Sequence, residues 1–149
     1  MNIRKMKKSD IKKLVNLEER AFPIGPYDYN MLRLSYKLSR GMSIVLEDSA
    51  RIIGYAMGIG IDEIHCDVES IAIDPDYQGM GFGKKMLLSL EEIMRSRGYK
   101  SSVLEVREKN SGAIRMYTSA GYIISEFLEN YYEEMYEGSR NAFRMVKNL

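Results

Sequence analysis

The sequence predicts an α/β (α+β) fold with a mostly antiparallel sheet, and two kinds of periodicity lead to that prediction. Several short segments alternate apolar and polar residues, which is typical of strands with one buried face. Others repeat apolar residues with the 3.6-residue period of an amphipathic helix. Along the 149 residues the two kinds follow the order β α α β β β α β α β β. This order favours one sheet in which most neighbouring strands run antiparallel.

The N-terminal half is predicted to form one strand, two helices and a hairpin. Ser9 is expected to cap the first helix, with Asp10 in its first turn. The segment 22–30 contains two prolines and a glycine, which end that helix. Two strands separated by Asp-Ser-Ala predict a β-hairpin. The predicted segments are a strand at 2–6, helices at about 9–21 and 31–39, and hairpin strands at 42–47 and 51–61.

The C-terminal half is predicted to alternate strands with helices before it closes on two strands. An Asp-Pro pair at 74–75 stops the first of these strands, because proline cannot donate to a sheet ladder. Gly98 ends the long helix that follows, and Gly121 ends a short helix that begins at Asn110 or Ser111. The predicted segments are strands at 67–73, 101–108, 122–132 and 141–149, and a long helix that carries Met86, Leu87, Leu90, Ile93 and Met94.

Length and composition limit the classes of protein that the chain can represent. A chain of 149 residues fits one domain, residues 1–149, and 45% hydrophobic with 29% charged residues is ordinary for a soluble protein. The formal net charge of +1 argues against a dedicated nucleic-acid binder. No apolar run approaches the roughly 20 residues of a membrane span, and no secretory signal is visible. We therefore expect a cytoplasmic protein without nucleic-acid or membrane partners.

The cysteine and histidine content predicts neither a disulfide nor a metal site. Cys66 is the only cysteine, so no internal disulfide is expected. His65 stands beside it, but no second Cys/His cluster accompanies the pair. Ordinary strand-end roles are expected for both residues.

Three glycines, Gly79, Gly81 and Gly83, lie between a predicted strand and the helix that follows it. Glycine costs about 1 kcal/mol relative to alanine inside a helix, so this placement needs another reason. Glycines let backbone N–H groups approach an anion, and a helix N-terminus adds exposed donors and positive dipole character. The spacing matches neither the G-x-x-x-x-G-K-[ST] phosphate loop nor the dinucleotide-binding G-x-G-x-x-G loop. A phosphate-bearing ligand in another kind of loop is therefore expected.

The pattern that does match is Q-x-x-G-x-G, formed by Gln78, Gly81 and Gly83. It resembles the loop that binds the acyl-CoA pyrophosphate in the GNAT superfamily of N-acetyltransferases. The stretches VESIAIDPDYQGMGFGKKML and LEVREKNSGAIRMYTSAGY are similar to the two signature segments of that superfamily. The similarity is greatest to N-terminal protein acetyltransferases, including the ribosomal-protein-modifying type. It implies a mixed, mostly antiparallel twisted sheet of about seven strands, flanked by four helices and splayed between the fourth and fifth strands.

The same resemblance implies acetyl-CoA as cosubstrate and no metal. Pantetheine would lie in the gap of the splayed sheet and pair with one strand, and the amides of 78–84 would hold the pyrophosphate. One amide of the strand would also polarise the thioester carbonyl. The residues assigned to the coenzyme on this basis are Ile71, Ala72, Ile73, Gln78, Gly79, Met80, Gly81, Phe82, Gly83, Lys84 and Asn110.

The implied reaction is acetyl transfer by direct attack of an amine in a ternary complex. A peptide α-amine has a pKa of about 7.7–8.0, so a useful fraction is neutral near pH 7 and the base can act through water. The resemblance assigns the base role to Glu105, and Tyr117 becomes the acid that protonates the CoA thiolate. Strand alternation separates Glu105 from Leu104 and Val106, as a position facing a cleft requires.

Aromatic residues from two separate segments are expected to hold the acceptor. By resemblance, Tyr131 and Tyr132 match a tyrosine pair that holds substrate backbone. Phe22, Pro23 and Tyr27 match the loop that forms the opposite wall. Aromatic walls with a few polar tips suit a peptide terminus.

The chain departs from these relatives at two places. Many eukaryotic-type relatives carry a glutamate in the first inter-helix loop, where residues 24–26 read Ile-Gly-Pro. Some place a histidine on the strand before the coenzyme loop, where this chain has Asp67. Substrate preference is therefore not carried over from them. Glu69 is a competing base, and a contribution from Asp67 stays open.

Two other functions stay open on the sequence. The same chemistry can serve a polyamine, an amino-sugar or a lysine side chain. An open groove between 22–27 and 131–132 favours a peptide, whereas a closed acidic pocket favours a small amine. A CoA-binding sensor module without turnover is the alternative from another class. The preferred N-terminal residue, the oligomeric state and any auxiliary subunit are left open.

Overall fold

Seven strands form one mixed sheet, and four helices pack on its two faces. The computed structural model describes residues 1–149. Its elements confirm the predicted order. They are β1 (Asn2–Lys5), α1 (Ile11–Ala21), α2 (Tyr29–Ser39), β2 (Ser43–Asp48), β3 (Arg51–Gly60), β4 (His65–Ile73), α3 (Phe82–Ser96), β5 (Ser101–Arg107), α4 (Ser111–Ser119), β6 (Ile123–Leu128) and β7 (Ala142–Asn148). None of the helices combines the length and the apolar character that crossing a membrane requires.

The strand order across the sheet is β1-β2-β3-β4-β5-β7-β6. Every neighbouring pair is antiparallel except β4 and β5, which run parallel. That parallel pair is short, because only residues 65–67 of β4 face residues 101–103 of β5. Beyond this point the two strands diverge and a gap opens in the sheet. The predicted splay between the fourth and fifth strands is confirmed.

A β-bulge in β4 lies where the divergence begins. In the pairing of β3 with β4, Met57 faces Ser70 and Gly58 faces Val68, so Glu69 has no partner on β3. An extra residue of this kind bends a strand and increases its local twist. It also breaks the alternation of side chains, so that Glu69 and Ser70 both contact residues on the α1 and α2 side.

Two separate cores lie on the two faces of the sheet. The larger core has 18 buried residues and includes the apolar stripe of α3, where Met86, Leu87, Leu90 and Met94 are fully buried. The smaller core has 10 buried residues and lies under α1 and α2. The helical period that predicted α3 therefore identifies its buried face.

The predicted start of the first helix is one residue too early, and the predicted serine cap is wrong. Residues 8–10 form a short 3₁₀ turn, and α1 begins at Ile11 rather than after Ser9. The side chain of Asp10 accepts the N–H of Lys7 at 2.7 Å and two bonds from the guanidinium of Arg4, at 2.8 and 2.9 Å. This buried ion pair with β1 fixes the turn, and a serine cap has no part in it.

The strand predicted at 122–132 is too long at its C-terminal end. β6 ends at Leu128, and Asn130 adopts a left-handed conformation with φ 51°. The N–H of Asn130 donates to the side chain of Asn141 at 2.9 Å. Because this turn redirects the chain, Tyr131 and Tyr132 lie in the loop 129–141 instead of in a strand.

Asp74 fixes the end of β4 where the glycine segment begins. Its buried carboxylate lies 2.5 Å from the guanidinium of Arg20 on α1 and 3.0 Å from that of Arg51 on β3. It also accepts the N–H of Asp76 at 2.9 Å and so caps the 3₁₀ turn at Pro75–Tyr77. One carboxylate thus joins a helix, a strand and the turn before the glycines.

Asp74→Asn is expected to lower the free energy of unfolding by about 2 kcal/mol, because the amide nitrogen that replaces Oδ2 cannot accept from Arg20 and Arg51. Asparagine keeps the oxygen that accepts the N–H of Asp76. Urea denaturation measures the change. Asp76→Asn is the matched control, since its carboxylate is 70% exposed and meets Arg20 at 3.2 Å. We expect the control to lose at most about 1 kcal/mol, and equal losses in the two variants would contradict the role given to Asp74.

Candidate active site

A large cavity of about 790 Å³ opens where β4 and β5 diverge. Its walls come from the C-terminal end of β4, the glycine segment and first turn of α3, the helix α4, and the loop between α1 and α2. The sequence-predicted residues that line it are Phe22, Pro23, Ile71, Ala72, Ile73, Gln78, Gly79, Gly81, Phe82, Gly83, Lys84, Asn110 and Tyr117. Residues far apart in the sequence therefore meet around one cavity.

Six successive backbone N–H groups at this cavity, those of residues 79–84, donate to no acceptor in the protein. Gly79 and Gly81 have φ values of 78° and 86°, and a Cβ added at either would meet no atom within 4 Å. Left-handed backbone of this kind is open to glycine and costly for other residues. Together with the N-terminus of the 15-residue α3, these groups form a donor-rich cradle for an anion.

Gln78 differs from residues 79–84, because its backbone N–H and its side chain both donate hydrogen bonds within the protein. Its own N–H donates to the carbonyl of Pro75 at 3.4 Å. Its side-chain Nε2 donates to the carbonyl of Ile73 at 2.9 Å. The only glutamine of the chain therefore fastens the glycine segment to the end of β4, and the free N–H groups begin one residue later.

Alternate residues of β4 present their backbone groups to the gap. The N–H of Asp74 donates to the carbonyl of Ile53 on β3 at 2.7 Å. Since successive strand residues point their backbone groups to opposite edges, Ala72 also faces β3. Ile71 and Ile73 then face the gap, where β5 no longer pairs with β4. The gap thus exposes a strand edge that an extended ligand can pair with.

Asn110 and Tyr117 bring α4 to the large cavity. The side-chain oxygen of Asn110 caps α4 by accepting the N–H of Ala113 at 3.2 Å. Tyr117 is 7% exposed, and its hydroxyl has no partner in the protein. Every fully buried side-chain polar atom has a partner, so this hydroxyl is open to the cavity. Burial raises the pKa of Tyr117, and the phenol stays protonated at neutral pH.

A second cavity, of about 470 Å³, is lined by other residues of the same two strands, β4 and β5. We call it the acidic pocket, because Asp67, Glu69 and Glu105 line it together with Arg144. Glu105 lies on the face of β5 opposite to Leu104 and Val106, which are buried in the larger core, as strand alternation predicts. The other lining residues are Ile59, Ile61, Asp62, His65 and Val103.

Arg144 holds Glu105 in the acidic pocket. The two residues face each other across β5 and β7, and Nε of Arg144 donates to Glu105 Oε2 at 3.1 Å. A second nitrogen of Arg144 donates to Glu126 at 3.2 Å. The sequence analysis missed Arg144, because only the pairing register of the last strand places it opposite Glu105.

The acidic pocket favours the protonated form of Asp67. Burial above all, and then the charges of Glu105 and Glu69, raise the pKa of Asp67 to about 8, while Arg144 opposes the shift. Three carboxyl groups in one pocket cannot all ionise cheaply. The proton on Asp67 reduces the repulsion within the pocket.

The loop between α1 and α2 contacts both cavities. Phe22, Pro23 and Ile24 line the large cavity, and the hydroxyl of Tyr27 donates to Glu69 at 3.0 Å. Ser35 on α2 approaches the same carboxylate at 3.5 Å. The predicted acceptor loop is thus bound to the bulge of β4 at the acidic pocket.

The tyrosine pair of the loop 129–141 lines neither cavity. Tyr131 and Tyr132 contact each other edge to face, with ring centroids 5.0 Å apart. The guanidinium of Arg107 lies 4.0 Å from the centroid of the Tyr132 ring and donates to the carbonyl of Glu134 at 2.8 Å. Burial, and then the charge of Glu105, raise the pKa of Tyr131.

Comparison with known proteins decides the family. A family model described as the acetyltransferase (GNAT) family matches residues 11–122. The chain belongs to the GNAT acetyltransferase family. The resemblance given by the glycine segment and the segment 104–122 is therefore confirmed.

Relatives of this acetyltransferase include a ribosomal protein bS18-alanine N-acetyltransferase of Haemophilus influenzae. The two are 32% identical over 138 residues, which cover 92% of this chain and 91% of the relative. Ard1 from Thermoplasma volcanium shares the fold, with a TM-score of 0.90, 23% identity, and coverage of 99% and 97% of the two chains. Phosphinothricin acetyltransferase from Sinorhizobium meliloti, solved in complex with acetyl-CoA, superimposes with a TM-score of 0.83 at 16% identity and covers 99% and 88%.

No group of three or more His, Cys, Asp or Glu side chains in this acetyltransferase is arranged to hold a metal ion. Two carboxylates of the acidic pocket have side-chain partners in the protein, since Arg144 binds Glu105, and Tyr27 and Ser35 bind Glu69.

Asp67→Asn is expected to raise the melting temperature at neutral and alkaline pH and to change it little near pH 4. The folded protein disfavours the ionised carboxylate. The wild type therefore loses stability as pH rises from the ordinary aspartate pKa of about 4 towards 8, and the neutral amide does not. Thermal unfolding followed by circular dichroism from pH 4 to 9 measures the difference. Glu63→Gln, an exposed carboxylate in the β3–β4 turn, is the control. A difference between wild type and Asp67→Asn that does not vary with pH would show that the shift is absent.

Proposed function

We propose that this acetyltransferase transfers the acetyl group of acetyl-CoA to the free α-amine of a protein N-terminus. The observation that carries the proposal is that the diverging strands β4 and β5 contribute residues to both cavities. One cavity offers unpaired N–H groups and an open strand edge, and the other offers carboxylates. A donor thioester and an acceptor amine can therefore approach each other across the gap. The relative from Haemophilus influenzae, named for ribosomal protein bS18-alanine, supports a protein N-terminus as the acceptor.

The residues at the large cavity fit acetyl-CoA. The free N–H groups of 79–84 suit the pyrophosphate, and Lys84 adds a positive charge at the same cavity. The gap-facing backbone groups of Ile71 and Ile73 suit the amide groups of pantetheine, and Asn110 lies across the cavity from them. When bound there, acetyl-CoA supplies the activated acetyl thioester.

Glu105 is the base in this proposal. Its carboxylate is held by Arg144 and faces the acidic pocket, where the positive charge of an incoming α-ammonium is favoured. An α-amine with a pKa near 8 gives up its proton easily, so a carboxylate acting directly or through water suffices. Glu69 remains the competing base. The raised pKa of Asp67 favours its protonated form, and Glu105, held by Arg144, is the proton acceptor in this proposal.

Tyr117 is the acid in this proposal. Its hydroxyl is open to the large cavity, has no partner in the protein, and keeps its proton at neutral pH because burial raises its pKa. A phenol in this state can donate a proton or a hydrogen bond to a departing thiolate. In this proposal Glu105 thus accepts the proton of the attacking amine, and Tyr117 donates one to the departing thiolate.

Tyr27, whose hydroxyl binds Glu69, forms the acceptor wall in this proposal, whereas Tyr131 and Tyr132 line neither cavity. A small polyamine is the second candidate acceptor, and the specific observation in its favour is the acidic lining of the second cavity. That pocket is open to solvent rather than enclosed, which leaves room for the chain that follows an α-amine.

The experiment that tests the function is an acetylation assay with radiolabelled acetyl-CoA. The acceptors are peptides that vary in their first two residues, the same peptides with blocked N-termini and one internal lysine, and spermidine. Label on free N-termini alone supports the proposal. Label on spermidine or on internal lysine overturns the choice of acceptor, and binding of acetyl-CoA without label on any acceptor indicates a sensor.

Glu105→Gln is expected to lower kcat by about tenfold at pH 8 and by about a hundredfold at pH 6, where more of the amine is protonated. Steady-state kinetics with the best peptide across this pH range measure the effect. Glu126→Gln is the matched control, because this exposed carboxylate binds the same Arg144. An unchanged pH–rate profile in Glu105→Gln removes this residue from the base role.

Gly81→Ala is expected to weaken CoA binding by about tenfold, because alanine disfavours the left-handed backbone by roughly 1–2 kcal/mol and the segment 79–84 shifts. Calorimetry with CoA measures the affinity. Gly98→Ala is the matched control at the other end of α3, with φ 90° and equally open surroundings. We expect similar losses of stability in both variants and a loss of affinity in Gly81→Ala alone. Equal affinities would place the diphosphate elsewhere.

A further inference from the structure

Glu18, in the last turns of α1, is a buried carboxylate that the mechanism above does not use. It is 1% exposed, whereas the adjacent Glu19 points to solvent. Burial raises the pKa of Glu18, while hydrogen bonds from Tyr55 and Tyr27 oppose the shift. A buried carboxylate is costly to keep, and an apolar side chain of similar size would often stabilise the protein equally well. Its hydrogen bonds therefore point to a purpose beyond stability.

The carboxylate of Glu18 joins three parts of the fold. Its Oε1 accepts the backbone N–H of Tyr27 at 2.9 Å. Its Oε2 accepts the hydroxyl of Tyr55 on β3 at 2.7 Å, and that hydroxyl lies 2.6 Å from Oγ of Ser70 on β4. The helix α1, the α1–α2 loop and the centre of the sheet are thus linked through one side chain.

Among residues 23–28 of the loop between α1 and α2, Tyr27 is the only one whose backbone N–H forms a hydrogen bond within the protein. The loop also contains two prolines, which have no N–H, and Gly25 in a left-handed conformation. Little besides Glu18 therefore fixes the main chain of this loop at Tyr27.

The same residue continues the link to the acidic pocket. The hydroxyl of Tyr27 donates to Glu69, the bulged residue of β4, at 3.0 Å. Displacement of the Tyr27 main chain would move its ring and break this bond. The start of the loop at Phe22, which lines the large cavity, is held in a different way. The N–H of Phe22 donates to the main-chain carbonyl of Glu18 at 2.9 Å, and a change of the Glu18 side chain does not remove this bond.

We propose that Glu18 is a positioning residue for the acceptor, which acts by fixing the main chain of Tyr27 so that the Tyr27 hydroxyl holds Glu69 at the acidic pocket. The proposal rests on the proposed function only in that the acceptor amine enters this pocket. The proposal predicts that the two substrates respond differently to Glu18. Binding of the acceptor depends on the Glu18 carboxylate, and binding of acetyl-CoA does not.

Glu18→Met removes the acceptor of the Tyr27 N–H and fills nearly the same volume. We expect KM for the best acceptor to rise about tenfold, with kcat and the dissociation constant of acetyl-CoA changed less than twofold. Glu18→Gln retains an oxygen for the Tyr27 N–H and is expected to recover most of the wild-type KM. Glu19→Gln is the exposed control on the same helix. Equal changes of acceptor KM and acetyl-CoA affinity would mean that Glu18 only stabilises the fold, and no change of KM would overturn the proposal.

A double-mutant cycle tests whether Glu18 acts through Tyr27. Tyr27→Phe alone removes the bond to Glu69 and should also raise the acceptor KM. In the Glu18→Met background the same substitution should add little, because Tyr27 is already displaced. Additive effects of the two substitutions would show that Glu18 acts by another route.

Amide hydrogen exchange tests the same proposal in the absence of an acceptor substrate. In the wild type, the amide of Tyr27 should exchange much more slowly than those of Ile24, Gly25 and Asp28. In Glu18→Met it should exchange as fast as they do. A fast Tyr27 amide in the wild type overturns the proposal even if Glu18→Met fails to fold. If the wild type acetylates no peptide but the Tyr27 amide exchanges slowly, the proposed function is wrong, whereas the hydrogen bond by which Glu18 fixes Tyr27 is supported.

Discussion

The feature on which the rest of this structure depends is the early end of the pairing between β4 and β5. Only three residues of each strand face one another, and the bulge at Glu69 turns β4 away from its neighbour. Without this divergence the sheet would close, and backbone groups at the end of β4 would be used within the protein. Buried backbone groups require partners. A sheet that leaves them open at its centre is therefore built to receive a ligand.

The same bulge shapes the acceptor side. By placing one additional residue on the α1 and α2 side, it brings the carboxylate of Glu69 within reach of Tyr27 and Ser35. Asp67 and Glu105 complete a pocket in which the carboxyl groups repel one another. Arg144 and a proton on Asp67 limit that repulsion. A positively charged amine would limit it further, which is the electrostatic basis of the proposed acceptor site.

Two buried carboxylates, Asp74 and Glu18, have comparable structural roles at the edges of the site. Asp74 joins α1 and β3 to the start of the glycine segment, and Glu18 joins α1 and β3 to the loop that carries Tyr27. Both lie next to segments rich in glycine and proline, which form few main-chain hydrogen bonds of their own. The side chains of Glu18 and Asp74 accept backbone N–H groups of these segments, at Tyr27 and Asp76, and so fix their main chains.

The sequence alone determined the order of all eleven elements, the apolar face of α3, the position of the glycine segment between β4 and α3, and the placement of Glu105 on the face of β5 opposite to Leu104 and Val106. These features follow from local periodicity and spacing, which a linear sequence displays directly. The bulge at Glu69, the pairing of Glu105 with Arg144, the proton on Asp67 and the end of β6 before Tyr131 were decided only by the tertiary structure. Each of them depends on register or burial between residues distant in the chain, and a hydrogen bond or a desolvated charge leaves no periodic signal in the sequence.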